Sequence, residues 1–301
     1  MSCSLAEPSG CAAPRSSADA TSALASLIPL FDCTVVLCMN DTCAPAWNRL
    51  RVLAPTAGQV YIWDATKANA ELDLETKWQR LAHKRGSRHH YLVAQSFVLI
   101  ARRYLYHHQN VLILEHDFAE GGEQCGSPKL ISLVDSTRRF LRSQKWSVLR
   151  LGYDLIAYAD ERAASWCAAG HCRPECICTP VTDHICSLAR RNASSSACDI
   201  RSMVAIAFHQ RTERALTEYG HNILAGASVK RGIDMRVPDI FRDRAPFEQV
   251  HLLIGSTIVQ NDVHTQTGPN GSLLFNHTPT VAQRNMRLFA RDCVSGVTLV
   301  A

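Results

Sequence analysis

Apolar and polar positions divide this chain into short runs of two kinds. Continuous apolar runs occur in CTVVLCMN (33–40), QVYIWDAT (59–66), NVLIL (110–114) and SVLRLGY (147–153). Runs this short predict strands, those at 33–40 and 110–114 of the type buried on both faces of a sheet. Between them the spacing is helical. Trp47, Leu50 and Leu53 recur along 44–54, a polar helical stretch fills 70–84, and YLVAQSFVLIARRYLYHH (91–108) and LISLVDSTRRFLRSQ (130–144) are helical throughout. Strand alternating with helix predicts an α/β domain, a Rossmann-like and mainly parallel central sheet with helices on both faces. Further on, 203–208 reads as a strand, 210–219 as a helix stopped by Gly220, and HLLIGSTIVQ (251–260) as strand-like. Residues 1–30, rich in Ser, Ala and Pro, predict a disordered leader. The main domain is expected over 31–285 and a tail over 286–301.

Acids stand where the predicted strands end. Asn40-Asp41 follow the first strand, Asp64 closes the second, and Glu115-His116-Asp117 follow the third. Ligands of such sheets bind outside the carboxyl ends of the strands. If extended geometry continues past Leu114, Glu115 and Asp117 project to one side and His116 to the other. Two carboxylates so placed, beside Gly121 and Gly122, suit a hard divalent cation, Mg²⁺ or Mn²⁺, which in turn holds substrate phosphates. The competing reading is two acids that end a strand and face water.

Composition and charge narrow this picture. With 301 residues and 47% apolar content a large core is expected, and a net charge of +5 spread along the chain suits an anionic small molecule better than nucleic acid. The chain has 13 cysteines, and Cys167, Cys172, Cys176, Cys178, Cys186 and Cys198 crowd a Cys-rich insertion at 165–200. Their spacing lacks the paired Cys-x2-Cys knuckles common in zinc sites, so disulfides are expected there, with a zinc site that includes His171 and His184 as the alternative. Sequons at Asn40, Asn192, Asn270 and Asn276 lean the same way, toward an ER or Golgi lumen, with a cytoplasmic location left open because no signal peptide is visible. No apolar run reaches the ~20 residues that span a bilayer. There is no nucleophile elbow, Walker loop or Gly-x-Gly-x-x-Gly loop.

Several segments, taken in order, resemble glycosyltransferase family 25, the lipooligosaccharide and collagen galactosyltransferase group. NVLILEHDF resembles that family's acidic strand, and HHYLVAQSFVLIARRYLYHHQ its preceding helix, with Gln95-Ser96 in place of Ser-His. WSVLRLGY, CDIRSMVAIAFHQRTERAL, GIDMRVPDIF and TIVQND resemble later segments in the same sequence order, so that the likeness spans 33–265. The resemblance implies a GT-A fold, a nucleotide-diphosphate sugar donor, a glycan or glycoprotein acceptor and, usually, Mn²⁺. It implies a metal and donor-diphosphate role for Glu115 and Asp117, with His116 in place of the family's central acid. It further implies Asp234 as general base or acceptor-binding carboxylate, Asn40 at the donor nucleotide and Gln260 as the late glutamine, while Asp41 and Asp64 are candidates for the same site by their place at strand ends. The substitution at His116 and the shortened Met39-Asn40-Asp41 loop, without an adjacent Arg, leave a non-catalytic nucleotide-sugar or glycan-binding relative as the alternative.

Other candidates have bland readings beside them. Arg85, Arg88, His89 and His90 before a helix, and Lys230-Arg231 before Asp234, are possible phosphate contacts or solvated loops. His209 reads by default as a satisfied strand-end histidine. Trp63 and Trp166 are candidate stacking surfaces, whereas Trp146 is expected to pack at the start of its strand.

Overall fold

The computed structural model describes residues 23–55, 57–81, 88–120, 128–143, 145–155, 178–188, 200–225, 250–253 and 258–260, with Ile233, Val237 and Ile240. The first strand, β1 (Cys33–Cys38), is buried along its whole length. It lies between β2 (Val60–Asp64) and β3 (Asn110–Glu115), parallel to both. Five further strands belong to the same sheet: β5 (Val148–Leu155), β6 (Cys178–Thr182), β7 (Ile185–Leu188), β8 (Ile200–His209) and β9 (Val250–Leu253). The sheet is ordered β2-β1-β3-β8-β5-β9-β7-β6. The fold is therefore mixed α/β, parallel through its first strands.

The expected mainly parallel sheet is corrected at two strands, β8 and β7, which run against the others. β8 runs antiparallel between β3 and β5, so β5 still points the same way as β1 to β3. Residues 251–260 also divide: β9 joins the main sheet, while β10 (Ile258–Gln260) pairs antiparallel with β4 (Phe118–Glu120) in a separate two-stranded sheet. Of the Cys-rich insertion, 178–188 is a hairpin, and β7 pairs with β9. The other residues of that insertion lie outside the described ones.

Alternation along the strands covers both faces. Val35, Leu37, Val111 and Ile113 face one apolar layer with α3 (Ala65–Glu71), α4 (Leu74–Leu81), α5 (Arg88–Ile100) and α7 (Glu213–Leu224). Val36, Leu112 and Leu114 face the other, with α1 (Ala23–Leu27), α2 (Cys43–Leu53) and α6 (Pro128–Arg142). Burial on both faces explains why these strands are apolar apart from Thr34 and the two ends of β3. Ala23, Leu24, Leu27 and Ile28 are buried in this second layer, which corrects the leader boundary: 23–30 is helical. The expected helix 70–84 is two helices, broken at Asp73 with φ 50°. The expected stop at Gly220 is also corrected. α7 runs through it, and an added Cβ there would stand 2.6 Å from Val98 Cγ1 of α5. Gln95 Nε2, buried, donates to the Gly220 carbonyl at 3.4 Å and Ser96 donates to Leu92 O at 3.0 Å, so both residues pack helices.

At the amino rim, Asp32 Oδ2 accepts from the N–H groups of Gln109 and Asn110, at 2.8 and 3.1 Å, while Asn110 Oδ1 accepts from Asp32 N–H at 2.7 Å. Trp146, fully buried, donates from Nε1 to Leu141 O. Its ring meets His209 edge-on at 5.3 Å. His209 Nδ1 accepts from Arg211 N–H at 3.2 Å and so caps the next turn. β8 is reversed, so His209 stands on the rim away from the acids.

Burial first, then the Arg211 charge, push the His209 pKa down to about 4, with Asp32 pulling the other way. The unfolded chain takes up that proton near 6.5, whereas the fold resists it until about 4. Its stability contribution is therefore full above pH ~6.5 and is lost as pH falls toward ~4. Burial lowers His108 and His184 as well, with the same sign. With solvent screening of the half-buried ring allowed for, the His209 share is about 1–2 kcal/mol. Urea midpoints at pH ~5 and ~7 should differ less in His209→Asn, which keeps a capping acceptor.

Candidate functional site

The carboxyl ends of β2, β1 and β3 form one rim. β1 stops at Cys38, which is disulfide-bonded to Cys43 at the start of α2, and the bridge brackets Met39 to Thr42. Within this turn Thr42 Oγ1 accepts from Met39 N–H at 2.9 Å, and Thr42 N–H donates to Met39 O at 2.8 Å. Asn40 adopts φ 38°, a left-handed conformation that Asn tolerates. Its N–H donates to Asp64 Oδ1 at 3.1 Å. The same oxygen caps α3 by accepting from Thr66 N–H at 3.0 Å and Lys67 N–H at 3.4 Å. Asp64 thus joins the β1 turn to the start of α3, and three N–H groups converge on one of its oxygens. Asn40 and Asp41 are exposed.

On β3, extended backbone persists through Glu115, which lies opposite Leu37 in the register. Asp64 lies opposite Cys38, two strands from β3. At a strand spacing of about 4.8 Å, roughly 10 Å separates the Asp64 and Glu115 backbones. His116 and Asp117 do not continue the strand. They form a two-residue turn into β4, which corrects the expected strand geometry: strand alternation does not set the relation of Glu115 to Asp117. All three side chains are half-buried, and Phe118 beyond them is fully buried.

Two elements hold this turn from outside. β10 pairs with β4 in a register that sets Gln260 against Phe118. The late glutamine is therefore adjacent in backbone to the acidic turn, though distant in sequence. From the other side, Arg49 of α2 donates from Nη1 to His116 O at 3.2 Å and to Phe118 O at 2.9 Å. Its guanidinium lies 5.8 Å from the Phe118 ring centroid. Arg49 is a residue the sequence reading missed. The available signal was its place three residues after buried Ala46 and one before buried Leu50, which turns it partly inward.

β10 in turn rests on β5 at Gly152. A Cβ there would come within 2.9 Å of Ile258 O and 2.6 Å of Val204 Cγ1. Only a residue without a side chain permits this approach.

Among the described residues no three His, Cys, Asp or Glu side chains gather as a ready metal site. The donors near the turn are two carboxylates and one imidazole, hard or borderline ligands that fit a cation completed by water and phosphate oxygens. Arg88 pairs with Glu75 at 2.7 Å, an exposed ion pair, so that basic residue already has an acidic partner. Trp63 is nearly buried in the layer of α3 to α5. Asp234, Lys230, Arg231, Arg85, Trp166, Gly121 and Gly122 lie outside the described residues. Cys186 is disulfide-bonded as well, and Cys33 is buried and outside any disulfide. No helix among the described residues is long and apolar enough to cross a membrane.

No protein-family model matches this chain, and no curated protein matches it. Among solved structures it is similar to mannose-1-phosphate geranyltransferase from Thermus thermophilus, at 12% identity and a TM-score of 0.32, over 73% of this chain and 72% of that one. A likeness of that size identifies neither fold family nor activity.

Proposed function

We propose that the chain is a glycosyltransferase with a GT-A fold, similar to family 25, moving a hexose such as galactose or glucose from a nucleotide-diphosphate sugar to a glycan or protein acceptor. One observation carries this reading: the acidic turn Glu115-His116-Asp117 stands at the carboxyl rim of β3, clasped between Arg49 and the β4–β10 ribbon. A turn so held is preorganised, and preorganised charge is what stabilises a leaving group. The sheet order, parallel from β2 through β3 with β8 and β7 reversed beyond, supports the reading, as does the ordered resemblance of segments along the sequence.

In this proposal Asp117 and Glu115 hold Mn²⁺ or Mg²⁺, with His116 as a further ligand. The ion, when bound, neutralises charge on the departing diphosphate. Asn40 and Asp41 face the nucleotide from the disulfide-bracketed turn. Asp64 acts beneath them by fixing the Asn40 N–H. Gln260, opposite Phe118 in the β4–β10 register, is assigned as the late glutamine of the donor site, and Asp234 as general base or acceptor-binding carboxylate. The Cys38–Cys43 bridge and the bonded Cys186 favour an oxidising compartment such as the ER or Golgi lumen.

A screen of uridine- and guanosine-diphosphate sugars tests the reading by metal-dependent release of nucleoside diphosphate. Release from at least one donor, dependent on Mn²⁺, is expected. His116, which removes a negative charge from the turn, favours a second reading, a non-catalytic nucleotide-sugar or glycan-binding relative. Metal-dependent binding of uridine diphosphate without turnover of any donor would select it. Absence of both binding and release would remove the two together.

A further inference from the structure

We infer that Arg49 is the positioning residue of Asp117. The inference rests on the donor-site reading and adds to it a residue that no strand-end pattern reveals. The carbonyls of His116 and Phe118 flank the Asp117 residue on either side, and one nitrogen, Arg49 Nη1, binds both, at 3.2 and 2.9 Å. A two-residue turn between strands of different sheets has no ladder bonds of its own to orient its peptides. The two held peptides, 116–117 and 118–119, enclose Asp117 and Phe118, so the contact restrains the backbone dihedrals of that pair jointly, and with them the direction in which the Asp117 carboxylate is presented.

The chemistry of the contact strengthens the inference. Hydrogen bonds from a charged donor are roughly twice as strong as neutral ones. Arg49 is half-buried and makes no ion pair among the described residues, so its charge is spent on carbonyl dipoles and on the Phe118 face. It is a fixed cation held against the backbone of the turn. Shifts of about 1 Å in a reacting group cost on the order of a hundredfold in rate. A clamp on the backbone of the acid is therefore a lever on donor binding.

Because one nitrogen makes both bonds, a lysine ammonium can reproduce them in part, whereas methionine fills the same space and makes neither. The full chain is compared with Arg49→Lys and Arg49→Met. Mn²⁺-dependent binding of uridine diphosphate is measured by calorimetry, amide exchange over 116–120 by mass spectrometry, and unfolding by urea. Arg49→Met should weaken uridine diphosphate binding roughly tenfold or more and speed exchange over 116–120 by a similar factor, with Arg49→Lys recovering most of both. Unchanged binding and exchange in Arg49→Met would overturn the inference and leave the donor site standing. Equal losses in Lys and Met that track lost stability would also overturn it, because they indicate packing alone. Absence of binding in the wild type would sink the donor reading separately, and exchange over 116–120 would still decide the clamp.

Discussion

Asp117→Asn should lower kcat/KM for the nucleotide-sugar donor by about a hundredfold to a thousandfold while leaving the fold intact. The substitution keeps the shape of the side chain and one accepting oxygen, and replaces the other oxygen, with the charge, by an NH2 donor. The residue sits in a half-buried turn whose backbone is held by Arg49 on one side and by β10, through β4, on the other. Neither hold passes through the carboxylate, so neither should depend on its charge. An amide oxygen is a much poorer ligand for Mg²⁺ or Mn²⁺ than a carboxylate, and the diphosphate leaving group would lose the cation that offsets its developing charge. The loss should appear mainly in kcat, since the charge develops as the glycosidic bond breaks. Steady-state kinetics on the donor found by the screen, paired with urea unfolding of the same variant, checks both halves. Activity within a few-fold of wild type, in a folded protein, would move the donor site away from this turn.

How far the fold was legible depended on which physical quantity each feature needed. An apolar run is a one-dimensional property, so β1, β2, β3 and β5 stood out as strands, although β2 exposes Tyr61 and Ile62, and the acids after β1, β2 and β3 marked the rim. Strand direction is not encoded in such a run. MVAIAF in β8 reads the same parallel or reversed, and only its place between β3 and β5 decides. Residues 23–30 were assigned to a polar leader because Ser and Ala dominate upstream, yet Leu24, Leu27 and Ile28 carry a short helix into the core. Asp73 breaks a helix by backbone sign, which composition does not report. At the site, the acids were visible because strand ends are local. Their supports were not. Arg49 meets its carbonyl partners 67 and 69 residues away, and Asp64, which sequence placed at the ligand, is engaged by the Asn40, Thr66 and Lys67 amides.

Gly152→Ala tests whether the β4–β10 ribbon, which backs the acidic turn, depends on a close backbone approach. The added methyl would meet Val204 Cγ1 at 2.6 Å, Ile258 O at 2.9 Å and Ala205 Cβ at 3.2 Å. The valine can rotate, but the carbonyl belongs to β10 and moves only with that strand. The register of β5 against β8 already shifts on either side of Gly152, so the strand has adapted to this contact as far as its ladder permits. Overpacking of this kind costs roughly 1–3 kcal/mol, and the chain can relieve it most directly by lifting β10. β10 carries Gln260 against Phe118, the residue that follows Asp117 and whose carbonyl Arg49 holds. A lifted β10 would therefore loosen the turn from its second side, and donor affinity should fall together with stability. Gly58→Ala supplies the control: nothing lies within 4 Å of the Cβ added there, and it should be neutral or stabilise by about 0.4–1 kcal/mol. Urea unfolding and uridine diphosphate titration of the two variants side by side give the comparison. Equal stability in both would mean that β10 does not rest on Gly152. A stability loss at Gly152 with unchanged nucleotide affinity would mean that the turn is held by Arg49 without help from the ribbon.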